Sequence, residues 1–276
     1  MKKLVAIVLS VLVGFCVPFC ASAESEQDQI FAINDSYVAG EKGTNFRFGL
    51  ALLFSNDLQE PFGNRMITTL SFGDDSIVKI SDIAVVRDNT MNKYTAATIN
   101  MTANFLEVGY IRTSVITITF ETGEIMSYYI GNYCFEVFND IGDDLLYTYS
   151  TPALSDNPYR YTYAFIKESE ADISIAAIDI HTDADVVKID IETDDFAGDV
   201  AFSEEQRVNY RLIRPKFTLY INNESATLYP KVGCYCGGLD MTEEQILEAH
   251  HDVAMDSLLT SNQYRSSLLM VDNLAS

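Results

Sequence analysis

Residues 114–130 read SVITITFETGEIMSYYI, and this stretch decides the fold class. Apolar and polar residues alternate on both sides of the sequence ETGE, which is the period of a β-strand with one buried face. Gly123 can take the positive φ angle that a tight turn requires. The stretch therefore predicts a β-hairpin whose first strand ends at Phe120 and whose second strand begins at Ile125.

Strand-like alternation continues in both directions from this hairpin. Phe46, Phe48 and Leu50 begin an apolar face that runs on through residues 52 and 54. Further strands are predicted at residues 66–72, 77–86, 96–104, 108–120, 145–150, 159–166, 173–180, 186–191, 208–213, 217–221 and 226–232. The pattern is interrupted at residues 139–144, which read NDIGDD. The chain is therefore predicted to be all-β, with a break near its middle.

The two parts of the chain share a weak internal similarity. A second hairpin is predicted at residues 217–232, and similar phrases, IGNYC and VGCYC, begin 102 residues apart at Ile130 and Val232. Chance similarity between two hairpins is the alternative to a repeat. Each part has the size of an immunoglobulin-like sandwich, although there is no Trp for the usual core of that fold. We predict two tandem immunoglobulin-like β-sandwich domains, at 24–140 and 145–238.

A C-terminal amphipathic helix is predicted at residues 240–259, followed by a tail at 260–276. Asp240 or Thr242 can cap the helix, with Glu243 or Gln245 three residues later as the second half of a capping box. The helical spacing of apolar residues predicts one buried stripe, which we expect to pack against the second domain. The stripe consists of Ile246, Leu247, His250, Val253, Ala254 and Leu258.

The N-terminus has the features of a secretory signal peptide at residues 1–23. Lys2 and Lys3 precede an apolar run, and the small residues before Glu24 favour cleavage after Ala23. An uncleaved membrane anchor is the alternative, but the apolar run is short for a membrane span. We therefore expect a secreted or extracytoplasmic protein that does not insert into a membrane after cleavage.

The chain is strongly acidic. Its formal charge is -22, and loss of Lys2 and Lys3 with the signal peptide would lower this to -24. Such a charge repels nucleic acid and anionic lipid, so neither is an expected partner. The expected partners are an extracellular protein or a glycan.

Three cysteines remain after the predicted cleavage: Cys134, Cys234 and Cys236. We expect a disulfide between Cys134 and one of the other two, which would leave one free thiol. Three reduced and buried cysteines are the alternative.

Two candidate metal sites follow from acidic residues. Asp194, Asp195 and Asp199 lie in an acidic stretch that could supply oxygen ligands to calcium, and we predict them as a calcium site. Glu244, Glu248 and His251 could ligate a metal from one stripe of the predicted helix. A solvated surface is the alternative for both sets.

The residues that could carry catalysis are few. None of the three histidines, His181, His250 and His251, lies in a His-Glu-x-x-His motif, beside a Gly-x-Ser-x-Gly elbow or in a phosphate-binding Gly-rich loop, and His250 is expected to pack on the helix's apolar face. Tyr159, Tyr161, Tyr163 and Phe165 share one strand face, and we expect core burial rather than a sugar-stacking platform.

We therefore predict a secreted, acidic, non-catalytic binding or surface-interaction module without a cofactor other than the possible calcium. The alternative function is an extracytoplasmic carboxylate- or metal-dependent hydrolase. A deep cleft that gathers carboxylates, or a carboxylate–histidine cluster, would favour the hydrolase. A shallow surface patch would favour the binding module.

Overall fold

The structure is a computed structural model, and it describes most of the chain from residue 29 onward. The described residues are 29–139, 147–150, 154–167, 173–181, 186–192, 197–204, 207–221, 224–229, 233–237 and 242–251. The predicted signal peptide at 1–23 and the predicted tail at 260–276 lie outside the described residues.

Two sheets build the larger part of the fold. The four-stranded sheet has the order β1 (Gln29–Phe31), β3 (Asn45–Ser55), β6 (Tyr94–Phe105) and β5 (Val78–Thr90). The seven-stranded sheet, called the central sheet below, has the order β10 (Leu154–Ser155), β18 (Cys234–Cys236), β15 (Arg211–Arg214), β2 (Asn34–Glu41), β8 (Ile125–Phe138), β7 (Gly109–Phe120) and β4 (Ile67–Ser71).

Two smaller sheets come from the second half of the chain. One has the order β13 (Val186–Glu192), β14 (Ala197–Phe202), β11 (Arg160–Lys167) and β9 (Tyr147–Ser150). The other has the order β12 (Ile173–Asp179), β16 (Lys216–Ile221) and β17 (Glu224–Leu228). The all-β fold class is therefore confirmed.

The central sheet is the middle layer of the fold, because both of its faces are covered over much of its width. On one face, Phe48 of β3 contacts Tyr133 and Phe135 of β8, with ring centroids 5.7 and 6.1 Å apart. This contact belongs to the largest hydrophobic core, which joins the four-stranded sheet to the central sheet. On the opposite face, Tyr163 and Phe217 of the smaller sheets pack in a second core with residues of β15 and β18.

Both predicted hairpins are present. In the first, β7 and β8 pair antiparallel and Thr119 lies opposite Ile125, while Gly123 has a φ of 81° in the turn. In the second, β16 and β17 pair antiparallel with Ile221 opposite Glu224. The hairpins lie in different sheets, and their equivalence in a tandem repeat stays a prediction.

The central sheet contains strands from both sides of the break at residues 139–144. β2 pairs in parallel with β8 on one side and with β15 on the other, so the two parts of the chain are joined by backbone hydrogen bonds. The division into domains at 24–140 and 145–238 stays a prediction. The shared sheet is the physical link between these two segments.

The C-terminal helix, α1, is described over residues 243–251. Its predicted capping box is confirmed, because the Gln245 amide donates to Thr242 Oγ1 (3.2 Å) and the Thr242 amide donates to Gln245 Oε1 (2.8 Å). We expected the helix to pack on the second domain, and Ile246 packs in one cluster with Tyr210 of that segment and with Ile30 and Leu53 of β1 and β3, so the helix contacts both segments. Within the described residues, no helix is long and apolar enough to span a membrane.

Candidate functional site

The residues predicted to bind calcium are only partly described. Asp194 and Asp195 lie outside the described residues, whereas Asp199 lies within β14 rather than in a loop. Its carboxylate forms an ion pair with Arg160 and accepts a hydrogen bond from Thr162 Oγ1 at 2.6 Å. Both neighbours belong to β11, with Thr162 directly opposite Asp199. The calcium site stays a prediction, and Asp199 would have to exchange these partners to join it.

The candidate metal ligands of the helix are exposed and not gathered together. Glu244, Glu248 and His251 are all exposed, and Glu248 forms an ion pair with Arg207. His250 packs as expected, with its Nε2 in contact with the carbonyl oxygen of Phe31, and burial lowers its pKa. Among the residues that the structure describes, no group of three or more His, Cys, Asp or Glu side chains could hold a metal ion.

The aromatic strip is largely core. Tyr161 and Tyr163 are fully buried, with ring centroids 6.2 Å apart, and Tyr163 contacts Phe217 at 5.2 Å. Tyr159 is partly buried beside Arg211, and the Phe165 side chain lies outside the described residues. Core burial is therefore confirmed for Tyr161 and Tyr163, and their buried rings cannot stack on a sugar.

The predicted disulfide to Cys134 is wrong, for a geometric reason. Cys134 pairs with Tyr37, Tyr37 pairs with Ile213, and Ile213 pairs with Cys234, so these residues form one row across four neighbouring strands. Three interstrand spacings place the Cα atoms of Cys134 and Cys234 about 14 Å apart. A disulfide requires at most about 6.8 Å. All three cysteines are reduced and buried, which was the alternative.

A buried ion pair lies on the face of the central sheet that the smaller sheets cover. Arg211 Nε donates to Asp35 Oδ2 at 3.3 Å, and both side chains are almost completely buried. Asn132 Nδ2 donates to the other oxygen of Asp35 at 2.8 Å, and Arg211 Nη1 donates to the Pro158 carbonyl at 2.6 Å. These hydrogen bonds join β2, β8, β15 and the turn before β11, while Arg211 Nη2 is buried without a hydrogen-bond partner in the described structure.

A carboxylate–histidine cluster lies farther along the same face. Glu136 accepts hydrogen bonds from Tyr37 Oη at 2.6 Å and from Lys216 Nζ at 2.5 Å, and His181 Nε2 lies 3.7 Å from its carboxylate. Lys216 also pairs with Asp179 at 3.3 Å. Sequence analysis missed this cluster because its members come from four separate strands and a strand end.

The charges in the cluster stabilise an ion pair between Glu136 and Lys216. Burial raises the pKa of Glu136, but hydrogen bonds from Lys216 and Tyr37 outweigh it and hold the pKa below its ordinary value. Burial lowers the pKa of Lys216, but Glu136 and Asp179 outweigh it and hold the pKa above its ordinary value. Glu136 is therefore ionised and Lys216 protonated near neutral pH, so each neutralises the other and neither is poised to move a proton.

A cleft with a volume of about 240 Å³ lies between α1 and the segments around residues 156–159 and 207–209. Asp156 and Glu248 are the carboxylates that line it, and Tyr159 and Asn209 add polar atoms. Glu248 is engaged by Arg207, which also lines the cleft. One of the two carboxylates in the lining is therefore held in an ion pair, which does not favour the acid–base pair of carboxylates that glycoside hydrolysis requires.

The feature with the clearest surface chemistry is an exposed, uncharged face at the end of the central sheet. It is formed by the outward side chains of three adjacent strands, β4, β7 and β8. We call it the uncharged face, and it consists of Thr69, Ser71, Val115, Thr117, Thr119, Ile125, Ser127 and Tyr129. Residues 66–71, 113–120 and 125–131 contain no charged residue, although charged residues make up 21% of the chain.

Register shows that these side chains form one continuous surface. Val115 lies opposite Tyr129 and Thr117 lies opposite Ser127, while Thr117 also pairs with Ser71 of β4. Val115, Tyr129 and Ile125 are 37%, 42% and 65% exposed. The sequence of the hairpin at residues 114–130 already indicated this face, because Thr117 and Thr119 occupy outward positions where charged residues are usual.

Comparisons with known proteins identify no family. No protein-family model and no curated protein matches this chain. Solved structures similar to it include the tandem Ig repeats of Dlar, with 12% identity, 75% of this chain and 96% of that chain covered, and a TM-score of 0.22. A chimeric titin Z1Z2 structure has 8% identity, the same two coverages and a TM-score of 0.21.

Murine CEACAM1b is similar at 9% identity, with 72% of this chain and 96% of that chain covered and a TM-score of 0.19. At TM-scores this low, the similarities carry no argument about function. The all-β class of this chain rests on its own strands.

Proposed function

We propose that this protein is an exported, non-catalytic binding module that contacts an extracellular protein through the uncharged face. The observation that carries the proposal is the absence of charged residues from three adjacent strand segments, at residues 66–71, 113–120 and 125–131, in a chain with a formal charge of -22. Exposed sheet surfaces normally carry charged side chains that keep a protein soluble and its sheet edges unpaired. A face without them can be covered by a partner at little desolvation cost.

The composition of the uncharged face favours a protein over a glycan. Ile125 and Val115 supply aliphatic area and Tyr129 supplies the face's aromatic ring, whereas sugar stacking relies on several aromatic rings. Tyrosine is among the residues that contribute most to protein–protein contacts. Hydroxyls at Thr117 and Ser127 can form hydrogen bonds without the cost of burying an ion.

The dimensions of the face predict a weak contact. Three strands span about 14 Å and five residues along a strand span about 17 Å, which is an area of roughly 250 Å². A stable interface buries about 800 Å² on each partner. The proposed interaction is therefore transient for a single copy, and an assay must display many copies together to detect it.

Export is part of the proposal and rests on the sequence of residues 1–23. Cleavage after Ala23 would give a mature chain that begins at Glu24, which intact-mass measurement of the released protein tests directly. The second candidate function is a hydrolase, favoured by the carboxylate–histidine contact between Glu136 and His181. The Lys216 hydrogen bond to Glu136 argues against it, because it neutralises the carboxylate that would act as the base.

A matched pair of variants tests the binding face. Val115→Glu with Tyr129→Glu adds two charges to the uncharged face, and Val85→Glu with Val86→Glu adds the same charges to β5 at residues that are 39% and 47% exposed. Beads that carry many copies of each chain are incubated with intact cells of the source organism, with the same cells after protease treatment, and with insoluble cellulose and chitin.

We expect the wild type and the β5 variant to bind untreated cells and the face variant to bind at least about tenfold more weakly, since burying two added carboxylates in the contact should cost about 1.4 kcal/mol or more. Protease treatment should abolish binding. Equal binding by the face variant, or no binding by the wild type, would refute the proposal. Binding to polysaccharide that survives protease treatment would reassign the face to a glycan.

A further inference from the structure

Cys234 and Cys236 form a contacting pair of thiols in the central sheet. Their side chains lie on the same face of β18, because alternate residues of a strand point to the same side. Their Sγ atoms are 3.8 Å apart, and both residues are fully buried. Tyr161, Tyr163 and Phe217 belong to the same hydrophobic cluster and cover the pair.

The backbone allows these two sulfurs to bond. Two residues along a strand separate the Cα atoms of Cys234 and Cys236 by about 6.6 Å. Disulfides span Cα distances of about 4.4 to 6.8 Å, so the pair lies at the upper end of the usable range. A bridge at this limit is strained, and a strained disulfide is more easily reduced than a structural one.

The position of β18 allows it to open locally. On one side it pairs with β15 over three residues, and on the other it pairs with the two-residue strand β10, which is the edge of the sheet. Short pairings near an edge open at a lower free energy than the middle of a sheet. The hydrogen bond with Cys234 and burial raise the pKa of Cys236, while Arg211 opposite it lowers the pKa. Reaction therefore requires opening, and Arg211 favours the thiolate when it forms.

We propose that Cys234 and Cys236 are a reversible redox pair that closes to a disulfide when the chain meets a small-molecule disulfide such as oxidised glutathione. In the first step one cysteine thiolate attacks a glutathione sulfur, which forms a mixed disulfide and releases one glutathione thiolate. In the second step the other cysteine thiolate attacks the protein sulfur of the mixed disulfide and releases the second glutathione. The protein loses two electrons and two protons, and oxidised glutathione becomes two glutathione thiols.

Cys134 is outside this reaction, because it lies three strands away in the same row of the sheet. Its Sγ accepts a hydrogen bond from Tyr110 Oη at 3.2 Å. The redox pair goes beyond the proposed binding function and does not depend on the uncharged face.

The test uses the folded full chain in buffers with different ratios of oxidised to reduced glutathione. After equilibration the samples are quenched with acid, unfolded, alkylated and digested with trypsin. The sequence places Cys234 and Cys236 in one tryptic peptide, residues 232–265, and Cys134 in another, residues 113–160. The redox state of the pair is therefore measured without mutating it.

We expect the peptide at 232–265 to lose about 2 Da and both alkylation sites at a high ratio of oxidised glutathione, and to regain them at a high ratio of reduced glutathione. Cys134→Ser should behave as the wild type, whereas Cys236→Ser should never show the loss of 2 Da. The proposal is overturned if the folded chain keeps both thiols at a ratio that oxidises the urea-unfolded chain. It is also overturned if the peptide accumulates only a glutathione adduct.

Discussion

The buried Arg211–Asp35 ion pair leads to a testable prediction about the free energy of unfolding. Replacing Arg211 with Met keeps an unbranched apolar stem but removes the hydrogen bond from Arg211 to the buried Asp35 carboxylate. Of the two hydrogen bonds to Asp35 described above, only the one from Asn132 remains. Removing one member of a buried pair costs about 3 to 5 kcal/mol, because the other charge is left without its partner. The substitution also removes the hydrogen bond to Pro158 and the stacking of the guanidinium on Phe202, whose ring centroid lies 4.9 Å away.

The assay is urea unfolding at pH 7, with the free energy of unfolding extrapolated to water. Arg211→Met should lower this free energy by about 4 kcal/mol. The control is Arg160→Met, which removes an exposed ion pair with Asp199 and should cost less than about 1 kcal/mol.

A double-mutant cycle separates the ion pair from the packing of its members. Asp35→Leu combined with Arg211→Met replaces both charges with apolar groups, so the double variant should be more stable than the sum of the two single losses predicts. A loss below about 1 kcal/mol for Arg211→Met, or losses that simply add, would refute the argument that the pair is coupled and sealed from water.

Three other predictions concern the core, the ion cluster and calcium. Tyr161→Ala should destabilise the fold by about 3 kcal/mol in chemical denaturation, whereas Tyr161→Phe should be neutral or slightly stabilising, because the buried hydroxyl has no hydrogen-bond partner in the described structure. Glu136→Gln should lower the free energy of unfolding by about 1 kcal/mol, a modest loss because Glu136 is partly exposed. Since the pKa of Glu136 is lowered in the folded protein, the difference in free energy between wild type and variant should be complete above about pH 4.5 and should shrink in more acidic buffers. Ca²⁺ at about 1 mM should raise the melting temperature by a few degrees over NaCl of equal ionic strength and over Mg²⁺, and Asp194→Asn with Asp195→Asn should abolish the effect; equal shifts in all three salts would rule the site out.

Local sequence patterns were sufficient for the features that depend on neighbours along the chain. Alternation with a period of two predicted β7, β8 and the hairpin between them, because each strand of that hairpin has one buried face and one exposed face. The start of α1 was predicted for the same reason, since Thr242 and Gln245 cap it across three residues.

Only the tertiary structure decided the features that depend on which strands become neighbours. Strand β2 escaped prediction because it lies between two parallel partners with both faces covered, so polar residues such as Asn34, Asp35 and Ser36 are buried and no alternation is visible. The strand order of the central sheet separates Cys134 from Cys234, and packing of a smaller sheet against the central sheet brings Lys216 to Glu136. A period of two along the chain determines which side of a strand is apolar, but the partner of each strand is selected by packing between distant segments, and one sequence carries no local signal for that choice.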